Sequence, residues 1–358
     1  MRIDIFAITR GGVAHAKNMA AGFTRTGEDC RIWFLADYAE TNDFSDGIAM
    51  PFNGMAAKVR EIFGQTDAII MVCAVGIAVR MIAPLITDKR KDPAVISVDD
   101  AGRFAVSILS GHIGGANDLT RIVAAMLDAM PVITTATDVN GLPAFDSLAM
   151  QYGMEMLPFS MVKTGNAALV AGKPVHIYSD YALPVSWPEN VTVSTITPHV
   201  LTSGVRGDFV AVISCRALIG AGYLQFVPKI ICAGIGCRRG VSKDEVFRAL
   251  TIAMETAKLR MESLVKIASI DVKQDEPGLL EAASEAGVPI VFSSAAELAE
   301  VVGCTSSAFV QETVGCPSVC EAAASLAAGA GAELLLKKTI VGKVTVALAV
   351  QRFPSLFA

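Results

Sequence analysis

A histidine framed by glycines, SGHIGGAN over residues 110–117, is the first place in this sequence where residue types and spacing suggest chemistry. An imidazole titrates near neutral pH, so His112 suits proton transfer. The turn runs from an apolar strand pattern into an apolar helical one. Backbone N–H groups at such a helix start attract anions. A second glycine turn, AGIGCRRG over 233–240, has the same strand-to-helix setting. Neither turn completes GxGxxG, and GxxxxGK[ST] is absent, so dinucleotide and nucleotide readings are weak.

Acidic and basic groups gather around both turns. Asp138 closes VITTATD, and a carboxylate at the carboxyl edge of an open α/β sheet sits where ligands bind. Asp99 and Asp100 end another strand pattern, AVISVDD. Arg80, Lys89, Arg90 and Lys91 cluster ahead of the first turn, and Arg238, Arg239, Lys243 and Lys273 lie in or beside the second. Guanidinium groups grip carboxylates in pairs, so such clusters suit a ligand with several acid groups. There is no GxSxG nucleophile elbow and no metal-ligand spacing. His176 and His199 stand beside strands without ligand partners.

These groups need a scaffold. Short, nearly continuous Val/Ile runs alternate with helical patterns through the first part, which predicts a mostly parallel sheet with helices on both faces. The predicted strands are IDIFAIT, CRIWFLA, DAIIMVCA, AVISVDD, FAVSIL and PVITTATD; helices are predicted over 13–23, 55–63, 77–84 and 118–127. From Val139 the chain turns richer in Pro, Ser, Thr and Tyr, predicting a small β-rich lobe or connector. After Pro228 a new α/β/α pattern begins, with helices over 243–256 and 262–265. Ser242 with Glu245, Ser294 with Glu297, and Ser318 with Glu321 all have capping-box spacing. The division is 1–138, an N-terminal α/β domain; 139–226, the middle lobe; and 227–358, a C-terminal α/β domain.

Composition limits the classes. The chain has 358 residues, a formal charge of −5 and 53% apolar residues. No dense Lys/Arg run threaded by aromatics marks a nucleic-acid surface. The longest uncharged apolar run, 68–79, is too short to cross a bilayer, and the first residues read as a strand, not a secretory signal. The eight cysteines form no CxxC pair, which predicts reduced, mostly buried thiols and a cytoplasmic protein.

In order along the chain, GIAVRMIAPLITDKRKDPAVISVDDAGRF, SGHIGGAN, VITTATD, AGIGCRRGVS, IDVKQDEPGL and VGCPSVCEAAA resemble the cobalt-precorrin-5A hydrolases of anaerobic vitamin B12 synthesis. The resemblance covers both α/β parts and little of the middle. It implies opening of the ring A δ-lactone of cobalt-precorrin-5A, then loss of the carbon bridging rings A and D, with its methyl, as acetaldehyde. It implies a cobalt-corrinoid substrate that carries its own metal, and no separate cofactor. From residue chemistry and motif position, His112 and Asp138 are the candidate bases, and N–H groups over 114–117 the candidate oxyanion site. Arg80, Lys89, Arg90, Arg238, Arg239 and Lys273 are candidates for the substrate's carboxylate arms. Ser110, Gly111, Gly114, Gly115, Asn117, Thr135 and Glu321 are further candidates for substrate contact. The competing expectations are a non-catalytic carrier of corrinoid intermediates, a nucleotide-dependent enzyme, and a subunit of a larger complex. Partners beyond the substrate are a second copy or neighbouring pathway enzymes, with no nucleic acid and no membrane.

Overall fold

In this computed structural model the described residues are 1–37, 48–197, 208–218, 220, 222–305 and 318–353; His199 and Cys316 lie outside them. The chain divides into two units, Met1–Ser147 and Leu148–Ala358.

The first unit opens with β1 (Arg2–Ala7), α1 (Arg10–Arg25), β2 (Asp29–Leu35), β3 (Ala49–Phe52), α2 (Met55–Ile62), β4 (Ala68–Val72) and α3 (Val75–Ile82). It continues with β5 (Ala94–Val98), β6 (Phe104–Leu109), α4 (Ala116–Leu127), β7 (Met130–Val132), α5 (Ala136–Val139) and the start of α6 (Phe145–Gln151). The seven strands form one sheet in the order β3-β2-β1-β4-β5-β6-β7. Both faces are covered, which is why β4 and β5 are buried along their length and read as unbroken apolar runs. Ile3, Ile5 and Ala7 pack on one face with Val13, Ala16 and Met19 of α1 and Leu119 and Val123 of α4. Phe6, Trp33 and Ile69 pack on the other with Val59 and Ile62 of α2 and Ala78 and Ile82 of α3. The fully buried Asp4 on that second face accepts hydrogen bonds from Trp33 Nε1 at 2.6 Å and Arg31 at 2.8 Å, so a lone carboxylate is tolerated there.

One strand breaks the parallel pattern. β6 runs antiparallel to β5, with Leu109 opposite Val95, and β7 runs parallel to β6. Asp99 closes the hairpin between β5 and β6, its Oδ1 accepting from the N–H groups of Arg103 and Phe104 at 2.7 Å each. Because β6 is reversed, the segment after it emerges at the amino edge of β5. The turn holding His112 and the segment after β7 therefore sit at the amino edge of the five parallel strands β3, β2, β1, β4 and β5. The expected carboxyl-edge position of Asp138 is corrected accordingly. So is its element: β7 ends at Val132, and Asp138 lies on the short helix α5. The run Thr135-Ala136-Thr137-Asp138 carries short polar residues that suit a helix start better than a strand end.

The second unit holds two five-stranded sheets. β8 (Met154–Leu157), α7 (Met161–Val170), β9 (Val175–Ser179), β10 (Val191–Thr195), β11 (Phe209–Ile213) and β12 (Leu224–Pro228) build the first, in the order β10-β9-β11-β12-β8. This is the β-rich middle segment. The other contains β13 (Ile231–Cys237), α8 (Lys243–Thr256), β14 (Leu264–Ile270), α9 (Pro277–Ala286), β15 (Ile290–Ser293), α10 (Ala295–Ala299), α11 (Val319–Ala328), β16 (Glu333–Val341) and β17 (Val344–Val350). Its order is β15-β14-β13-β17-β16. Helices on both sides of this sheet give the α/β/α pattern.

Two capping boxes form as the spacing predicts, at Ser242/Glu245 and Ser294/Glu297. The third does not. Ser318 is the N-cap of α11, but Glu321 points elsewhere and is fully buried. It accepts from the backbone N–H of Thr305, from Thr305 Oγ1 at 3.0 Å and from Lys338 N–H at 2.7 Å. Lys338 lies where the pairing of β16 with β17 shifts register, so Glu321 satisfies a strand N–H that the ladder leaves over. The helix predicted over 262–265 is a 3-10 turn, Met261–Ser263, running into β14, whose Val265 and Ile267 favour the sheet.

The second glycine turn also reads differently in three dimensions. Gly234 and Gly236 lie inside β13, not in the turn after it. A Cβ on Gly234 would stand 1.9 Å from the carbonyl oxygen of Cys320, so this glycine lets α11 press against the sheet. Of the seven described cysteines, five are buried and Cys237 and Cys304 are half-buried. Burial pushes the Cys30 thiol up to about 12 and Cys73 to about 11, so neither is a ready nucleophile.

Candidate functional site

His112 is held between two carboxylates. Its Nε2 lies 2.9 Å from Asp138 Oδ2, and its Nδ1 lies 3.0 Å from Asp146 Oδ1. The carboxylates occupy opposite sides of the ring, so they bracket an imidazole and do not converge on a point where a metal would sit. Among the described residues no group of three His, Cys, Asp or Glu is arranged to hold a metal ion.

Each side chain is placed by a different element. The turn 110–115 carries His112 and is closed on itself. Gly115 N–H donates to His112 O, Ala116 N–H to Ser110 O, and Asn117 N–H to Gly111 O. These bonds use the N–H groups that the sequence suggested for an oxyanion site, so Gly115, Ala116 and Asn117 do not offer them to a ligand. A Cβ at Gly114 would stand 2.4 Å from Ser110 Cβ, so the turn closes this tightly only with glycine there. Ser110 Oγ donates to Asp92 O at 2.9 Å, tying the turn to the loop that feeds β5.

Asn117, in the first turn of α4, joins the parts. It is buried; its Nδ2 donates to Thr135 Oγ1 at 3.0 Å and to Asp138 Oδ2 at 2.9 Å, and its Oδ1 accepts from Ser107 Oγ at 2.8 Å. Thr137 Oγ1 is 3.2 Å from His112 Nε2. Arg121, one helical turn after Asn117, places Nη2 2.5 Å from Asp138 Oδ1. On the other side Lys89 Nζ stands 3.8 Å from Asp146 Oδ2. The result is a row of alternating charge: Lys89, Asp146, His112, Asp138, Arg121. The three middle side chains are 6%, 9% and 16% exposed, and the two cations at the ends about half exposed.

Electrostatics follows from that row. Burial pulls the His112 pKa down, but the hydrogen bonds and charges of Asp146 and then Asp138 outweigh it and hold it above the ordinary 6.5. Burial pushes Asp138 up, but Arg121 and His112 outweigh that and hold it below its ordinary value. When protonated, the ring donates to both carboxylates. Asp138 is the most open of the three and is the member a solute meets.

The sequence pointed to His112, Asp138, Asn117 and Thr135, and the structure brings them together. It adds Asp146 and Arg121, which sequence reasoning missed. Asp146 lies in the first turn of α6, where an acid is explained by the helix dipole alone. The usable signal was a carboxylate in the apolar setting GLPAFDSLAM, which must find a partner if buried. Arg90 is taken up locally by Asp88, bidentate at 3.1 and 2.5 Å, and that pairing lowers Asp88 to about 2. Arg80 is exposed in the last turn of α3.

The remaining candidates belong to the second unit. Arg239 pairs with Asp275 at 3.1 Å and donates to Val272 O at 3.0 Å. Lys273 stands 3.7 Å from the buried Glu276, which accepts from Gly240 N–H at 2.8 Å. Arg238 is exposed. Glu321 is interior, with its oxygens engaged as described.

Comparison with known proteins matches this chain along most of its length. The family model for the cobalamin synthesis G N-terminal region matches residues 57–138. That for the cobalamin biosynthesis central region matches 143–219, and that for the cobalamin synthesis G C-terminus matches 231–349. A cobalt-precorrin-5A hydrolase of Salmonella typhimurium is 38% identical over 303 residues, covering 83% of this chain and 83% of that protein. One from Priestia megaterium is 32% identical over 358 residues, covering 96% of this chain and 94% of that protein. With relatives this similar over so much of its length, the chain belongs to the cobalt-precorrin-5A hydrolase family.

Proposed function

We propose that this protein hydrolyses cobalt-precorrin-5A, opening its lactone and releasing acetaldehyde, with Asp138 and His112 as the proton-transfer pair. Family membership supports the substrate. The single structural observation behind the residue assignment is the 2.9 Å contact between the partly open Asp138 and the buried His112.

The chemistry needs a proton acceptor beside the lactone carbonyl. Water attacks that carbon and gives one proton to Asp138, which passes it to His112 Nε2 when the ring is neutral. The lactone C–O bond then breaks, leaving a carboxylic acid and an alkoxide on the bridging carbon. The alkoxide becomes the carbonyl of acetaldehyde as the bond from that carbon to the macrocycle breaks. The electron pair passes into the macrocycle, which takes up the proton. The cobalt belongs to the substrate throughout. Arg121, beside Asp138 and half exposed, is the cation nearest the developing oxyanion. Arg80 and Lys89, at the surface of the first unit, supply positive charge for the carboxylate arms.

The test is turnover of purified protein with cobalt-precorrin-5A, with acetaldehyde read by a coupled dehydrogenase. The wild type releases acetaldehyde stoichiometrically with loss of the lactone. Asp138→Asn lowers the rate by about a hundredfold, the usual scale of a lost acid–base group. The rate climbs with pH through the His112 pKa, above 6.5, because only the neutral ring accepts a proton. Tight corrinoid binding without acetaldehyde would leave a carrier of intermediates instead.

A further inference from the structure

We propose that Asn117 is a positioning residue of this site: its side-chain amide holds Asp138 Oδ2 against His112 Nε2, so that base and ring stay in register whether or not the ring is charged. This rests on the proton-transfer role given above to Asp138 and His112.

The contact between Asp138 and His112 does not hold itself. Asp138 sits on α5, a helix of four residues. Its Oδ1 is drawn outward by Arg121, which is half exposed and shared with Asp118. His112 Nε2 has a second neighbour, Thr137 Oγ1 at 3.2 Å, to turn to if the carboxylate leaves. Both partners thus have an alternative. Charge attraction joins them only while the ring is protonated. Once the ring is neutral, a group that is itself uncharged has to keep Oδ2 in place. Asn117 Nδ2 is such a group, 2.9 Å from the same Oδ2 that faces the ring.

Asn117 is itself firmly held. Its backbone N–H donates to Gly111 O at 2.9 Å. Its Oδ1 accepts from Ser107 Oγ of β6 at 2.8 Å, and its Nδ2 also donates to Thr135 Oγ1 at 3.0 Å. The reverse orientation would set the amide oxygen against the Asp138 carboxylate, so the positions of N and O are settled by the partners. A Cβ at Gly111 would stand 2.8 Å from Asn117 Oδ1, so glycine there leaves the room that the amide fills. Asn117 is 3% exposed, which takes it out of reach of a solute. The expectation of substrate contact at Asn117 therefore gives way to a role behind Asp138. The charged groups around the ring are Asp138 of α5 and Asp146 of α6, with Arg121 of α4 beyond the first and Lys89 of the loop before β5 beyond the second. Of these, Asn117 bonds to Asp138, so removing its amide reaches the ring through that carboxylate.

Nitrogen-15 NMR of labelled full-length protein tests this without substrate. The His112 signal is identified by its loss in His112→Gln. Asn117→Ala frees Asp138 to follow Arg121, and the titration midpoint of His112 falls by about half a pH unit or more. Asp138→Asn lowers it at least as far, and Asn117→Ala added to Asp138→Asn lowers it no further. An unmoved midpoint in folded Asn117→Ala, or a full further fall in the double variant, would overturn the proposal. The wild type supplies a second reading that needs no alanine variant. The side-chain amide of Asn117, identified by its loss in Asn117→Asp, stays protected from exchange with water on both sides of the His112 midpoint; protection lost above the midpoint would sink the idea. In turnover of cobalt-precorrin-5A, Asn117→Ala lowers kcat about tenfold or more and leaves KM within about twofold. A raised KM with an unchanged kcat would make Asn117 a substrate-contact residue instead. If the NMR results hold while no form of the protein releases acetaldehyde, the proposed function fails and the placement of Asp138 by Asn117 stands.

Discussion

Two buried carboxylates in this chain, Asp146 and Glu321, look alike in sequence and have opposite work. Each sits in the first turn of a helix, where an acid is favoured by the dipole and needs no further explanation. Asp146 faces a titrating ring; Glu321 faces backbone N–H groups that nothing else satisfies. Glu321 stays below the ordinary carboxylate value: burial pushes it up, but the N–H groups of Thr305 and Lys338 outweigh that. Glu321→Gln turns one acceptor oxygen into a donor aimed at those N–H groups. The expected cost is about 3 kcal/mol, since a buried hydrogen bond to a charge is lost and a donor is left unpaired. Urea unfolding reads it as a lower midpoint with an unchanged slope. A midpoint equal to wild type would mean that the contacts at Thr305 and Lys338 carry no net stability. At this scale His112 and Asp138 stood out because a histidine among glycines and an acid closing VITTATD are polar groups that a core does not need. Asp146 and Arg121 were not, because only the tertiary path brings α4, α5 and α6 around one ring.

The element that decides the site is β6. Its composition, FAVSIL, reads as a strand, and the Ala101–Gly102–Arg103 turn before it was equally plain. Its direction was not. A short hairpin returns the chain antiparallel, and that reversal moves everything after it to the amino edge of the main sheet. The expectation that Asp138 lies at the carboxyl edge failed for this reason. Asp99 fixes the hairpin by accepting two N–H groups, and these bonds together with its partners' charges hold it below its ordinary value against the effect of burial. Asp99→Ala leaves both donors to water at a half-exposed turn, for a loss of about 1 to 2 kcal/mol. Hydrogen exchange localises it: the amides of β5 and β6 lose protection first, ahead of β1 and β4. Equal loss across the sheet would show that the hairpin is held by strand pairing alone. The capping boxes at Ser242 and Ser294 were legible because they depend on four consecutive residues. The box at Ser318 was misread because Glu321 has better partners far away in sequence.

At the scale of the whole molecule, the charges of the site tie stability to pH in a direction opposed to the proposed activity. His112 is raised above 6.5, so its ion pairs stabilise the fold fully below 6.5 and are lost as pH rises through its folded value. Asp138 and Glu321 are lowered from 3.8 and 4.5, so their contributions are present above those values and are lost as pH falls through the folded ones. All three act together only between about pH 4.5 and 6.5, where the protein should melt highest. Proton acceptance, however, needs the neutral His112 ring, which gains population as pH rises through the folded value. The working form is therefore the less stable one, as expected where a site stores charge for chemistry. Scanning calorimetry across pH 3.5 to 9 checks this, with His112→Gln as the control. The wild type should lose melting temperature from pH 6.5 upward, and the variant should lose less over the same span. A wild-type melting temperature that climbs steadily to pH 9 would show that the bracketing of His112 by two carboxylates does not hold the ring protonated.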